Sequence, residues 1–409
     1  MAAFQHIPTG IQQKFWVTKE AADGYNSYTA VAAADAVPLI ELSIQPKKEF
    51  LKSRERRGTA SLTNEVAGAA GGTWSAKAYL APEGGTVTNA PDISEILEAA
   101  FGYTNNSTDR SYLVGSSGTE KTTPLSLQFV RTAGPGLYER IMGCWVEQVD
   151  IEISRDIPTI SFSGGFATHT YASSAYTAGT ISSSGTTVTV DAGHIDKFKA
   201  DSFIQFNEAG TIEANGSPGS EAGYRITSVD KSANTFVISP GATEEITDNS
   251  TIEAFHILAQ TFTATNVPIS GAGSGLTMNS KTAGFISFKC SIKTGIKGLE
   301  EANSTVPTHL VLGDREVTGE ISTYALAEDV DSDEGVMRFW GGAFDGDTMA
   351  ISARAGEDTT KKRAVVNIPK ARVEVSPIEI PESEEAVINF AFTALRSAAN
   401  GDEITLDFT

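Results

Sequence analysis

The stretch RIMGCWVEQVDIEISRDIPTISFSGGFAT, residues 140–168, decides the fold. Its valines and isoleucines alternate with polar residues, so it reads as two long β-strands around a polar turn. A similar stretch, RAVVNIPKARVEVSPIEIPESEEAVINFAFTAL, occupies residues 363–395. Each closes on an Ile-Glu-Ile core: Ile151, Glu152 and Ile153 in the first, Ile378, Glu379 and Ile380 in the second. A chain that carries this element twice has a use for two copies.

Working outward, period-two alternation dominates: LIELSIQ (39–45), WSAKAYL (74–80), LSLQFV (125–130), FISFKCSIK (285–293) and EVTGEISTYAL (316–326) all have the pattern of half-buried antiparallel strands. The best helix is PDISEILEAAFG, with Asp92 suited to the N-cap, Glu95 three residues on, and Gly102 as the stop. A second helix is expected around Val336, Phe339 and Trp340. The elements follow the same order in both halves: strand, loop, strand, helix, strand, closing strand pair. The expected fold class is therefore mainly β: two tandem β-sandwich domains, each with a flanking α-helix, plus an inserted small β-sandwich or barrel. The boundaries expected are an N-terminal arm at 1–35, a first domain at 36–170, an all-β insertion at 171–262 and a second domain at 263–409. Linker-like flanks mark the insertion as an independently folding excursion whose removal leaves the rest intact.

The 409 residues include 51 acidic and 31 basic side chains, a net charge of -20, which opposes adhesion to nucleic acid or anionic lipid. Cys144 and Cys290 each lie in an apolar strand run, which suits buried thiols and not a disulfide framework. The N-terminus lacks a leader pattern and no apolar run reaches the roughly 20 residues of a membrane span, so folding in the cytoplasm is expected.

The five histidines are scattered singly and form neither zinc-ligand spacing nor a triad. DVDSDEG at 329–335 lacks the glycine and glutamate that a calcium loop needs at its sixth and twelfth positions. GAGSG at 271–275 precedes no convincing helix and suits a hinge better than a phosphate cradle. No catalytic residue, cofactor or metal is expected. The basic stretch PKKEFLKSRERRG is unusual in so acidic a chain: Lys47, Lys48, Lys52, Arg54, Arg56 and Arg57 can seek an acidic surface on another copy of the same protein.

The loop leading to GTWSAKAYLAP, the PDISEILEAAFG helix, LVLGDREVTGEIS and the ending VINFAFTAL with GDEITLDFT resemble, in pattern and order, the major tail tube proteins of long-tailed (siphovirus-type) bacteriophages, in a form with two tube domains. The resemblance covers the residues outside the insertion. It implies a non-enzymatic virion protein of the phage tail, assembled in the bacterial cytoplasm. Its domains close side by side into rings, and the rings stack into a tube for DNA ejection. With two domains per chain, three chains suffice for a pseudo-sixfold ring. The implied partners are further copies of the chain, tail terminator, tail-tip and tape measure proteins, and double-stranded DNA in transit without specific binding, with no membrane. Under this reading Glu147, Asp150, Glu152, Glu374 and Glu379 are candidates for an acidic lumen, which would repel phosphate, and the basic stretch for contact between rings. The alternatives are a tail-tip or baseplate hub ring of the same fold, or a carbohydrate-binding surface protein.

Overall fold

A computed structural model describes residues 13–20, 25–52, 65–81, 90–105, 110–113, 115–116, 119–120, 124–133, 137–173, 186–208, 211–213, 224–239, 251–254, 260–262, 268–324, 343, 346–356, 363–374, 377, 387–397 and 402–408. The protein is mainly β, and the period-two pattern of the sequence is the cause: one face of each central strand is buried and the other is open, as in Gln148–Ser154 and Ser287–Lys293.

The first unit has β1 (Gln13–Lys19), β2 (Leu39–Lys52), β3 (Glu65–Tyr79), the helix α1 (Ser94–Phe101), a hairpin of β4 (Tyr103–Asn105) and β5 (Arg110–Leu113), and a small pair β6 (Gly115–Ser116) and β7 (Thr119–Glu120). It continues with β8 (Leu127–Ala133), β9 (Leu137–Cys144), β10 (Gln148–Ser154), β11 (Thr159–Phe166) and β12 (Thr168–Ser173). The insertion holds β13 (Thr187–Thr189), β14 (Phe203–Glu208), β15 (Thr211–Glu213), β16 (Tyr224–Asp230), β17 (Thr235–Ser239) and β18 (Thr251–Ala254). The second unit has β19 (Gly275–Met278), β20 (Lys281–Ala283), β21 (Ser287–Lys293), β22 (Ile296–Leu299), β23 (His309–Leu312), β24 (Glu316–Tyr324), β25 (Thr348–Ala355), β26 (Ala364–Val373), β27 (Val387–Ala394) and β28 (Thr405–Phe408).

Strand pairing repeats as well as strand order. The first unit pairs its strands as β2-β3-β11-β10 and β1-β8-β9-β12; the second pairs them as β21-β24-β27-β26 and β19-β25-β26-β28. The paths match for β2-β3-β11 against β21-β24-β27 and for β1-β8-β9-β12 against β19-β25-β26-β28; β26 stands in the place of β9, and its Ala371–Val373 end also pairs with β27. The stretch 140–168 thus contributes to four strands, from β9 to the first residue of β12: Trp145, Val146 and Glu147 break the run between β9 and β10, and the polar turn falls at 155–158. Within the first unit the two sheets face each other across a core in which Trp74 and Phe129 lie 4.4 Å apart.

α1 begins at Ser94 with Ile93 at its N-cap, one residue later than an Asp92 cap requires, and ends as expected at Gly102, whose positive φ lets its N–H bond Glu98 O at 2.9 Å. Lys19 and Arg110 hold Glu98 at 2.6 and 3.0 Å and so fasten the helix to β1 and β5. The expected second helix and the DVDSDEG stretch lie outside the described residues, apart from the helical, buried Ala343.

Two features differ from the sequence expectation. Residues 13–19, placed there in an arm, form β1 and pair along their length with β8. The insertion also shares a core with the first unit. Trp16, Val130, Tyr138 and Ala172, on the outer face of the β1-β8-β9-β12 sheet, are buried together with Phe198, Phe203, Phe206 and Phe236 of the insertion. This second covering explains why β8 and β9 are buried almost continuously, without alternation. Arg140 is fully buried at this boundary, bonded to Tyr138 Oη, Thr29 O and Gln128 Oε1, with Tyr28 and Phe203 rings beside its guanidinium. Removing the insertion would uncover this apolar face.

Candidate assembly interface

The two units are joined by strand pairing. β10 of the first runs antiparallel to β21 of the second, from Gln148 opposite Lys293 to Ser154 opposite Ser287. On the core side Val149, Ile151 and Ile153 meet Ile292, Cys290 and Phe288, all buried. On the open side Glu152 lies 3.7 Å from Lys289, and Gln148 donates to Ser291 Oγ at 3.2 Å. Thr294 closes the top of the seam: its N–H bonds Glu147 O at 2.8 Å and its hydroxyl bonds Val146 O at 2.5 Å. The apolar side dominates energetically, because exposed ion pairs are worth at most about 1 kcal/mol and a buried isoleucine side chain about 1.5–3 kcal/mol.

A residue-level match fixes which edges correspond. Gly72 in β3 lies under the Phe166 ring and beside Gln45 O, while Gly319 in β24 lies under the Phe392 ring and beside Lys289 O. Gln45 in β2 is therefore the counterpart of Lys289 in β21. Likewise Trp145 N bonds Gly165 O and Glu374 N bonds Ala391 O, so Glu374 holds the place of Trp145, three residues before β10; residues 375–376 and 378–386 lie outside the described residues. β21 has β10 on its outer side, whereas β2 has no strand there among the described residues. Pro46 fits this edge position, and Arg131 donates to Leu42 O at 3.1 Å, blunting the edge from below. A groove of about 650 Å³ runs beside it, lined by Phe15, Ile40, Leu42, Ile44 and Arg131 among others.

The open face of the joined sheet is mostly polar, with Tyr79 and Tyr324 exposed at the ends of their strands. Glu41, Lys77, Ser161, Asp150, Ser291, Thr318, Thr393 and Arg372 stand side by side, one from each of eight successive strands. Glu147, Asp150, Glu152 and Glu374 are exposed, with Glu147 accepting from Trp145 Nε1 at 2.8 Å; Glu379 lies outside the described residues. Asp150, Glu152 and Glu374 share the face with Lys77, Lys289 and Lys293, a mixed surface that sequence alternation locates but whose lysines it overlooked, whereas Glu147 lies in the break before β10. The insertion covers the opposite side of the molecule.

Of the basic stretch, Lys47, Lys48 and Lys52 lie on β2 itself, which extends beyond the expected loop boundary; Lys47 pairs with Glu49 at 3.2 Å on the surface. Arg54, Arg56 and Arg57 lie outside the described residues. GAGSG forms a tight turn, and Gly271 is packed against the carbonyls of Ser154 and Asp156. Both cysteines are free and buried, and burial pushes both thiols up. Among the described residues no group of three His, Cys, Asp or Glu side chains is arranged to hold a metal. No helix among them is long and apolar enough to cross a membrane. No family model matches the chain, and no curated protein is similar to it.

Proposed function

We propose that this chain is the subunit of a phage tail tube, a structural protein that closes into three-chain rings and stacks into a conduit for DNA. The observation that carries the reading is the head-to-tail junction of β10 with β21. Two like units join through non-identical edges, and such a heterologous contact repeats until it closes or runs on as a filament. The β2 edge of one chain is the counterpart of β21, and the sequence after Glu374 of the next, with Ile378-Glu379-Ile380 against Ile151-Glu152-Ile153, is the segment we assign to the place of β10. Pairing them repeats the internal seam and removes the free edge. The polar face then lines the lumen and the insertion lies outside. A lumen of interspersed charges with no apolar band gives a phosphate backbone little to hold.

The test is the mass and symmetry of the assembled particle, by light scattering and electron microscopy of the purified chain. Three chains per ring with threefold symmetry and a pseudo-sixfold outline are expected. A ring of six chains, or a chain that stays monomeric at high concentration, refutes the reading.

A further inference from the structure

The internal seam has a second ladder, and it exposes a difference between the two units. β5, from the connection after α1 of the first unit, crosses to the second unit and pairs with β28, from Arg110 opposite Phe408 to Leu113 opposite Thr405. Tyr112 meets Phe408 edge-on at 5.8 Å and donates to Ser94 Oγ at 2.7 Å, so the hairpin is tied both to its own helix and to its acceptor. The counterpart of β28 is β12. A hairpin donor for β12 would have to come from the same place in a second unit, but there β25 opens at Thr348, directly after Ala343 and the turn at Gly346. Among the described residues no hairpin stands in that connection, and only four residues separate Ala343 from Thr348.

The outer edge of β12 is nevertheless occupied, from within the chain. Phe198 of the insertion forms a bridge with Ala172, the Lys199 ammonium bonds His169 O, and Tyr171 Oη donates to Asp196 O at 3.2 Å. Phe198 is itself anchored in the insertion by Phe236, 5.0 Å away. We infer that the insertion is an edge guard: it takes on β12 the place that the β4–β5 hairpin takes on β28, and so closes a strand edge that would otherwise accept the β4–β5 hairpin of a second copy. The physical logic is that of any unpaired edge, whose free N–H and C=O groups accept the nearest compatible strand. A compatible strand is present in every copy. With β12 covered, the hairpin keeps β28, the equivalent edge of the second unit, as its acceptor, which keeps the units in a single direction. This inference rests on pairing within one chain and holds whether or not the chains form a tube.

The test uses the full chain with the guard loosened by Phe198→Asp and Lys199→Glu, at a concentration where the wild type shows one mass. Amide exchange in β12 is expected to rise at least tenfold while the β10–β21 ladder stays protected. Larger species should appear by light scattering, and excess synthetic peptide of residues 103–113 should return them to the wild-type mass by filling the vacated edge. If the β10–β21 protection is lost too, the milder pair Lys199→Ala and Tyr171→Phe, which touches only the edge contacts, is read by the same two measurements. Faster exchange in β12 without added mass overturns the inference, as does added mass that the peptide does not reverse.

Discussion

Phe392 covers Gly319 in the second unit as Phe166 covers Gly72 in the first. In both pairs the phenylalanine stands directly opposite the glycine on the neighbouring strand, and a carbonyl of the strand beyond closes the remaining space. The ring takes the place of the missing side chain, a recognised way of keeping a glycine in a sheet without leaving a hole.

A methyl group at either glycine would collide with the ring and with backbone. Gly72→Ala and Gly319→Ala should therefore each destabilise the fold by about 1–3 kcal/mol through overpacking. Gly284→Ala, where an added Cβ meets nothing within 4 Å, should change stability by less than about 0.5 kcal/mol. Chemical denaturation of the three variants checks this. Equal effects at Gly284 and Gly319 would remove the packing argument.

The seam between units offers a separation of apolar from ionic contributions. Ile153→Ala, at a fully buried position opposite Phe288, should cost about 2–4 kcal/mol. Glu152→Gln, whose partner Lys289 is more than half exposed, should cost under about 1 kcal/mol. If the glutamate variant proves the weaker of the two, the seam is an electrostatic junction and not a hydrophobic one.

Acid should loosen the first unit through two glutamates. Burial of Glu139 works to raise its carboxyl, but the His169 hydrogen bond at 2.7 Å and the Arg131 guanidinium outweigh it and hold the group below its ordinary 4.5. Burial of Glu98 is likewise outweighed, chiefly by Lys19, with a net lowering. A folded-state value below the unfolded one gives stability that is present above about pH 4.5 and is lost as pH falls through the folded value. The midpoint of denaturation should thus drop as pH falls below about 4.5, and Glu139→Gln should flatten that dependence. A variant with the same acid slope as the wild type would show that Glu139 is not responsible.

Alternation made the strands legible: LIELSIQ, FISFKCSIK and EVTGEISTYAL each lie on the strand expected, because one buried face imposes a period of two. Hidden from sequence was the break at Trp145–Glu147, since Trp145 and Val146 are apolar and continue the pattern while the backbone turns from one sheet to the other. Residues 13–19 carried too few alternating positions to declare a strand, and only pairing with β8 makes them one. The insertion read as detached because sequence shows its own strands but not the face of Trp16, Val130 and Tyr138 that it covers. Among the site residues, Glu152 was locatable by parity, whereas its partner Lys289 depended on a register between strands far apart in the chain.

β2 carries Lys47 and Lys48 along an open edge, and the ion pair of Lys47 with Glu49 there is highly exposed and adds little to the fold. Reversing Arg54, Arg56 and Arg57 to Glu should accordingly leave the thermal midpoint within about 2 °C. Polymer length should respond strongly, because a ring of three chains repeats each contact and terms of about 0.2–1 kcal/mol accumulate over the stack. Rising salt should shorten wild-type polymers as the Debye length falls below about 10 Å, and the triple variant should be short at every ionic strength. Sedimentation and negative-stain length distributions at low and high salt measure both effects. Polymers of wild-type length from the triple variant at low salt would make these arginines solvated decoration and leave stacking to other surfaces.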